Sequence, residues 1–344
     1  MNPVDDVTFT RPLAKALHRH VAAFAKTVDA DAAVAWVYST VLVAWAEQHG
    51  LIHPWLTSAA DYVPDEPDAM RQWLTHAVKS LTAHPATTCL GSPLFNPMWT
   101  AEPANNACRD LVTWWVKDAP PLAYESTTGP ASITGWLVGD LLQALSDDRR
   151  ARHALVQTPW WIVDGILDLT LVRAAQEHRD EPLSTIDPCC GTGHFLIRKV
   201  DYLWQLYTTG ELPARQMKVT GADGWTPVPP SVAIDWIVAG ITGVELDPLT
   251  AAVARLRMLV TVGDLMRRAG LIDGPLRLDR IPQTVRPRIA VGDSLLNLDP
   301  NTAEYAQLHP RVAAIYGWTG RSATATAEGK TPRSVQLDLF GGAA

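Results

Sequence analysis

Three short apolar runs in the second half of the chain each end at an acidic residue, Asp187, Glu245 or Asp293. A carboxylate at the tip of a strand can accept hydrogen bonds from a ligand amine, from the two hydroxyls of a ribose, or from the exocyclic amine of adenine. Gly191 and Gly193 follow the first acid, and without a Cβ they permit positive φ angles and close approach of a ligand to the backbone. These residues predict a site for a ligand with an amine, a ribose and a purine base.

Each acid follows a strand-like run, and the first two are followed by a predicted helix. The first opens the run Asp187-Pro-Cys-Cys-Gly-Thr-Gly193, and a helix begins at about His194. Dinucleotide-binding folds also have a glycine turn after a strand, but the spacing here is not Gly-x-Gly-x-x-Gly. The second acid lies in Gly243-Val-Glu-Leu-Asp-Pro248, which leads into a helix predicted over 249–269. The third follows the run Arg288-Ile-Ala-Val291.

The elements that carry these acids alternate along the chain after Thr158-Pro159. Strand, helix, strand, helix, strand is typical of a doubly wound parallel α/β sheet. Ligands in such sheets bind at the carboxyl ends of the strands, where the three acids lie. We therefore predict an α/β domain at residues 151–319.

Residues 1–150 are predicted to form an α-helical domain, with helical periodicity at 31–48, 69–81, 104–116 and 132–145. Its tryptophans could stack on bases, but at helical spacing we predict that they belong to the core: Trp36, Trp45, Trp55, Trp73, Trp99, Trp114, Trp115 and Trp136.

The tetrapeptide Asn96-Pro-Met-Trp99 superficially resembles a catalytic Asn-Pro-Pro-Tyr motif. It precedes the acidic motifs and follows no strand-like run, so we predict a turn.

The composition is that of a soluble globular protein. The 344 residues are 47% hydrophobic, and no apolar run approaches the roughly 20 residues that span a bilayer. The first residues have no signal-peptide pattern, so we expect a cytoplasmic location. Four irregularly spaced cysteines predict neither a disulfide framework nor a metal site.

The net charge of −7 argues against a surface that coats nucleic acid as a whole. Local basic clusters remain at Arg149, Arg150 and Arg152, at the pairs Arg255/Arg257 and Arg267/Arg268, and from Arg277 to Arg288. We interpret them as solvated helix faces and loops, with a DNA path as the alternative.

Taken together, the three acidic motifs resemble motifs I, II and III of the gamma-class N6-adenine DNA methyltransferases, above all the large methylases of restriction-modification and phage-exclusion systems. Upstream, Gln157-Thr-Pro-Trp-Trp161 is similar to the Thr-Pro motif of that family, known as motif X. The resemblance spans residues 132–296. It implies a Rossmann-like methyltransferase fold, S-adenosylmethionine (SAM) as cofactor, and DNA as the partner that is methylated.

The same resemblance implies a role for individual residues. Thr158 and Pro159 would flank the methionyl group of SAM, and Asp187 and Gly191 would hold its amine and carboxylate. Glu245 would bind the ribose and Asp293 the adenine. The motifs further imply cofactor contacts at Pro188, Cys190, Gly193, Phe195, Leu246 and Ser294.

The base-gripping motif of the family, Asp/Asn-Pro-Pro-Tyr/Phe/Trp, is missing from the sequence. Such a motif binds the extruded adenine, so the catalytic residue is unknown. The segment in the expected place offers Tyr316 and Trp318 without the acceptor or the prolines. We therefore predict that a second polypeptide supplies the base-binding motif and the target recognition.

Residues 320–344 have the composition of a flexible tail. Within it, Gln336-Leu-Asp-Leu-Phe340 resembles the peptide with which many bacterial DNA-processing proteins bind the replicative sliding clamp. The resemblance implies contacts from Gln336, Leu337, Leu339 and Phe340. A chance match or a simple amphipathic tail is the alternative.

The leading functional hypothesis is a SAM-binding subunit of an N6-adenine DNA methyltransferase. The main alternative is a non-catalytic, methyltransferase-like regulatory or structural component of a DNA defence or replication system, which the missing motif favours. A methyltransferase for RNA or a small molecule is a third possibility, disfavoured by the upstream position of the Thr-Pro motif.

Overall fold

The computed structural model describes residues 7–124, 130–145, 158–211 and 225–294. The first two ranges form the helical part of the molecule. Its helices are α1 (Val7–Phe24), α2 (Ala30–Gln48), α3 (Trp55–Tyr62), α4 (Ala69–Ser80), α5 (Asn105–Lys117) and α6 (Trp136–Leu145). Helix α2 is buried from Ala32 to Ala46. Because it is apolar on all sides, the other helices pack around it.

The two later ranges contain a small parallel sheet with its helices. The elements are α7 (Trp160–Glu177), β1 (Thr185–Asp187), α8 (His194–Thr209), α9 (Pro230–Gly240), β2 (Ile241–Glu245), α10 (Pro248–Arg268) and β3 (Arg288–Val291). The strands lie in the order β1-β2-β3, and both pairs are parallel. The parallel sheet predicted from the sequence is therefore present. A doubly wound sheet also has strands on the other side of β1, which the described residues do not include, so that topology stays a prediction.

Helix α10 joins the two parts of the molecule. It is buried from Leu249 to Met266, and it packs on β2, on β3 and on the 3-10 turns Pro85–Gly91 and Ser132–Thr134 of the helical part. One contiguous hydrophobic core runs through both parts. Neither α10 nor any other described helix is long and apolar enough to cross a membrane. The division at residue 150 stays a prediction.

The sequence pattern predicts most of these elements to within two residues. Strand β3 has the predicted bounds, and β1 and β2 end at the predicted acids, Asp187 and Glu245. The pattern does not predict α1, α3 or α9 as separate helices. Helix α9 begins with Pro230 in its first turn, where the missing N–H removes no hydrogen bond, but the proline-rich run before it is typical of a turn.

The predicted burial of the tryptophans is confirmed. Trp36, Trp45, Trp115 and Trp136 are buried, and the other four of the set are half-buried against the core. The indole N–H of Trp45 donates to the Ser132 carbonyl at 3.1 Å. Buried indoles generally need such a partner.

Candidate cofactor site

The parallel register brings the carboxyl ends of all three strands to one edge of the sheet, which we call the carboxyl edge. Backbone hydrogen bonds continue beyond the strands, since the Cys190 amide donates to the Val244 carbonyl (2.9 Å) and the Gly292 amide to the Glu245 carbonyl (2.9 Å). The loops that follow β1, β2 and β3 therefore lie side by side. Ligands bind at this edge in open α/β sheets.

The loop at residues 188–193, which we call the glycine loop, is a tight turn that needs glycine at two positions. Gly191 has a φ of 55° and Gly193 a φ of 93°, in the region that disfavours residues with a Cβ. Gly243 on β2 leaves room for the loop, because a Cβ there would lie 2.9 Å from the Cys190 Sγ. Burial raises the pKa of the Cys190 thiol well above its usual value, so this thiol is a packing group and not a nucleophile.

Glu245 ties the glycine loop to the loop after β2. One carboxylate oxygen accepts from the Gly191 amide (2.9 Å) and the other from the Asp247 amide (2.9 Å). Burial raises the pKa of Glu245, and these two amides oppose the rise. The Leu246 amide also hydrogen-bonds to this carboxylate, so one lone pair of the two oxygens is left to accept from a ligand hydroxyl. The Gly191 amide already donates its one hydrogen to Glu245. This contact therefore does not support a role for Gly191 in binding a methionyl carboxylate.

Asp187 presents a buried acceptor that no described residue satisfies. Its Oδ1 accepts from the Cys189 amide at 3.2 Å, whereas Oδ2 is buried and receives no hydrogen bond from the described residues. Burial raises the pKa of Asp187, and the positive charge of buried Lys199 lowers it in part. An unsatisfied buried acceptor costs about 1–3 kcal/mol. The position therefore fits a ligand amine.

The loop after β3 lies against the glycine loop. The Ser294 Oγ is 3.5 Å from the Cys189 Sγ, and Asp293 is half-buried beside it. Leu246, next to Glu245, is 43% exposed and offers apolar surface at the same edge. Phe195 follows the glycine loop and packs against the core. The structure thus collects the predicted site residues after β1, β2 and β3 into three adjacent loops.

Thr158 and Pro159 directly precede α7, which is fastened to α8. Arg198 of α8 forms a forked, buried ion pair with Asp164 of α7, with Nε–Oδ1 at 2.7 Å and Nη2–Oδ2 at 2.8 Å. Because α8 begins where the glycine loop ends, this pair fixes α7 relative to that loop.

The sequence analysis missed the residue that holds the glycine loop from behind. Arg257 of α10 is fully buried. Its Nη1 donates to the carbonyl (2.6 Å) and the hydroxyl (2.9 Å) of Thr192, and its Nε donates to the Thr134 carbonyl (3.1 Å). Burial lowers the pKa of Arg257 to about 10. The interpretation of Arg257 as a solvated surface residue is therefore wrong, because the helical part covers this side of α10.

A glycine in α6 makes room for Arg257 and the glycine loop. A Cβ at Gly139 would lie 2.5 Å from the Arg257 Nη1, 2.5 Å from the Thr192 Oγ1 and 2.9 Å from the His194 Nε2. His194 stacks face to face on Trp136, with ring centroids 3.9 Å apart. Burial and the charge of Arg257 lower the His194 pKa well below its usual value, which favours the neutral form of the ring. An isolated glycine in an apolar helix is the sequence signal for such close packing.

Asn96 lies in the core of the helical part and has a structural role. Its side-chain nitrogen donates to the Ser39 hydroxyl (3.1 Å) and the Leu90 carbonyl (3.3 Å), and its Oδ1 accepts from the Met98 amide. It caps the 3-10 turn Pro97–Thr100. The prediction of a turn here is confirmed.

Other predicted residues lie outside the described ranges, and their roles stay predictions. They are Arg149, Arg150, Arg152, Tyr316, Trp318, Gln336, Leu337, Leu339 and Phe340. Within the described ranges, no group of three or more His, Cys, Asp or Glu side chains is placed to hold a metal ion.

The fold and the candidate site are those of an open α/β protein with a ligand edge at the carboxyl ends of parallel strands. No protein-family model matches the sequence. Over 286 residues the chain is 31% identical to the adenine-specific methyltransferase PglX of Streptomyces coelicolor, in an alignment that covers 77% of this chain and 22% of PglX. The chain is therefore related to that methyltransferase but spans about a fifth of its length.

Two solved structures show weaker similarity. The Type IIL restriction-modification enzyme MmeI in complex with DNA superposes with a TM-score of 0.39 at 16% identity, over 87% of this chain and 41% of that one. The DrdV–DNA complex gives a TM-score of 0.38 at 15% identity, over 88% of this chain and 25% of that one.

Proposed function

We propose that the chain binds SAM at the carboxyl edge of its sheet and is the cofactor-binding subunit of an N6-adenine DNA methyltransferase with a Rossmann-like fold. The observation that carries this proposal is the unsatisfied Oδ2 of Asp187 beside Glu245. An orphaned acceptor and a second carboxylate that can still accept a hydrogen bond, at the ends of adjacent strands, suit the amine and the ribose of one ligand. The relationship to an adenine-specific methyltransferase supports the same class of reaction.

The residues fit the cofactor in the following way. Asp187 would accept from the methionyl amine, and Glu245 from the ribose hydroxyls. Asp293 would accept from the adenine amine, with Leu246 and Ser294 beside the base. Gly193 contributes by its missing Cβ, and Thr158 and Pro159 would lie at the methionyl end. Pro188, Cys190 and Phe195 shape the turn that these contacts need.

When bound, SAM supplies an electrophilic methyl group that adenine N6 can attack directly. The contribution of the protein is then mainly the orientation of the two reactants. Within this chain, Glu245 and Arg257 hold the glycine loop from its two sides. These contacts fix the glycine loop on both sides of the proposed cofactor position.

The acceptor half of the site is proposed to come from a second polypeptide. The sequence has no Asn-Pro-Pro-Tyr motif, and among the described residues no strand pairs with the outer side of β1. A parallel strand added there would end beside Asp187, at the same carboxyl edge. Such a strand would bring a base-binding motif next to the cofactor.

Radiolabelled methyl transfer tests the catalytic proposal. Duplex DNA is incubated with labelled SAM and the chain alone, and then with the chain plus the product of the neighbouring gene. We expect transfer to adenine N6 only in the second mixture, and none when the chain carries Glu245→Gln. Absence of transfer in both mixtures, with SAM binding intact, would contradict the catalytic proposal.

That contradicting result would support the second candidate, a non-catalytic methyltransferase-like component of a DNA defence or replication system. The missing Asn-Pro-Pro-Tyr motif is the observation that favours it.

Whichever function is correct, we propose that residues Gln336 to Phe340 bind the sliding clamp. The double variant Leu339→Ala, Phe340→Ala should then lose the clamp in a pull-down, and unchanged recovery would remove this proposal.

A further inference from the structure

The backbone of the glycine loop offers no donor for the carboxylate of a ligand. Four of its six residues already donate their N–H to an acceptor within the protein: Cys189, Cys190, Gly191 and Gly193. Pro188 has no N–H, and Thr192 is fully buried. A ligand carboxylate at the methionyl end of the site therefore needs a donor from another element.

Lys199 lies in the second turn of α8, behind the glycine loop. Its side chain is only 7% exposed. Long side chains in a helix point back toward its N-terminus, which in α8 is the end at the glycine loop. Burial lowers the pKa of Lys199, and the interactions with Asp187 and Cys190 raise it in part. The ammonium group therefore lies near the tip of β1.

The Lys199 ammonium differs from the other buried cations of the described ranges. No residue in those ranges accepts a hydrogen bond from its Nζ or forms an ion pair with it within 4 Å. A buried charge without a partner is costly. The three buried arginines all have acceptors: Arg198 has Asp164, Arg255 has the Ile289 carbonyl, and Arg257 has the Thr134 carbonyl.

Asp187 and Lys199 present opposite charges at the same strand tip. The Oδ2 of Asp187 is buried and receives no hydrogen bond from the described residues, and the Nζ of Lys199 also has no partner among them. An amino-acid group carries an ammonium and a carboxylate on one carbon. When it lies between these two side chains, each of its charges is next to a charge of opposite sign, which is favourable in a medium of low dielectric constant.

We propose that Lys199 binds the carboxylate of the methionyl group of SAM, while Asp187 accepts from the amine of that group. This inference rests on the proposed function, and it names a residue that the acidic motifs do not contain. It replaces Gly191, whose amide donates to Glu245. The site then selects compounds with a complete amino-acid end over adenosyl compounds that lack the carboxylate.

Calorimetric titration with SAM and with decarboxylated SAM tests this proposal. We expect the wild-type chain to bind decarboxylated SAM about tenfold more weakly, since one charge-assisted hydrogen bond is lost. Lys199→Met, which removes the charge from a side chain of similar length, should weaken SAM about tenfold and bind decarboxylated SAM at least as well as the wild type does. The two Kd values should then converge.

The matched control is Lys117→Met, which removes an exposed lysine from the last turn of α5 and should keep the wild-type difference between the two compounds. If Lys199→Met does not fold, Lys199→Gln removes the same charge, and convergence of its two Kd values supports the proposal equally. Circular dichroism establishes which variants are folded.

The failure of this inference is distinct from the failure of the proposed function. If the wild-type chain binds SAM and decarboxylated SAM equally, Lys199 does not bind the carboxylate. If the Lys199 variants weaken both compounds by the same factor, Lys199 only positions Asp187, and the inference is again wrong. In both cases SAM still binds to the wild type, so the cofactor site stands, whereas absence of SAM binding to the wild type contradicts the proposed function itself.

Discussion

Replacing Gly139 by alanine should disturb the glycine loop from a distance. The new Cβ would lie 2.5 Å from the Arg257 Nη1 and 2.5 Å from the Thr192 Oγ1, and neither atom can retreat without lengthening the hydrogen bonds of 2.6 and 2.9 Å between these residues. A hydrogen bond to a charged group contributes about 1.5–3 kcal/mol. Alanine favours a helix over glycine by about 1 kcal/mol. We therefore expect a net loss of about 0.5–2 kcal/mol in the free energy of unfolding.

Urea denaturation measures this loss, and calorimetry with SAM measures its effect on the site. Because the loop moves, we expect SAM affinity to fall about tenfold, equivalent to 1.4 kcal/mol. The matched control is Gly263→Ala in α10, where the Cβ would lie 2.7 Å from the Ile281 Cδ1, away from the glycine loop. This control should lose stability and keep its SAM affinity. If Gly139→Ala is as stable as the wild type and binds SAM equally well, the described packing of α6 on the loop is refuted.

Three further predictions follow from buried or exposed groups near the site. Asp164→Ala removes two of the charged hydrogen bonds of buried Arg198, which keeps only Asp201 at 2.9 Å, and should lower the free energy of unfolding by about 1.5–3 kcal/mol. A loss below about 1 kcal/mol in urea denaturation would show that the Arg198–Asp164 pair is solvated. Burial raises the Asp140 pKa to about 7, above the value of about 3.9 in an unfolded chain. As the pH rises, the unfolded chain therefore releases this proton before the folded protein does, and the free energy of unfolding falls between about pH 4 and pH 7. Thermal denaturation should therefore find Asp140→Asn more stable than the wild type above pH 7 and equal to it near pH 4, and equal stability at both values would be inconsistent with a raised Asp140 pKa. Cys189 is exposed beside Ser294, so bound SAM should slow its alkylation by iodoacetamide in a mass-spectrometric assay, and an unchanged rate would place SAM elsewhere.

Local sequence signals were enough to predict the strand tips and the turns of the candidate site. Short apolar runs that end in an acid, followed by glycine or proline and then by a helical period, fix where Asp187 and Glu245 lie within their strands. The parallel order then places both acids at one edge. These features depend on a few consecutive residues, which is why a single sequence is informative about them.

The contacts that hold the site together could not be predicted in the same way. Arg257 and Thr134 are 123 positions apart, and Arg198 and Asp164 are 34 apart. No period in the sequence relates such pairs. Arg257 belongs to a basic cluster typical of a solvated helix face, and only the tertiary packing of the helical part on α10 makes it a buried residue. The isolated glycine at position 139, in an otherwise apolar helix, is the one local feature of the sequence that indicates this packing.

Calorimetric titration of the chain with SAM tests the proposed cofactor site most directly. We predict one SAM bound per chain, and Asp187→Ala should raise the Kd at least about tenfold, because the amine loses a charge-assisted hydrogen bond. The matched control Asp273→Ala removes an exposed acid outside the site and should leave the Kd unchanged. Absence of SAM binding to the wild-type chain, or equal affinity in Asp187→Ala, would contradict the assignment of the carboxyl edge as a cofactor site.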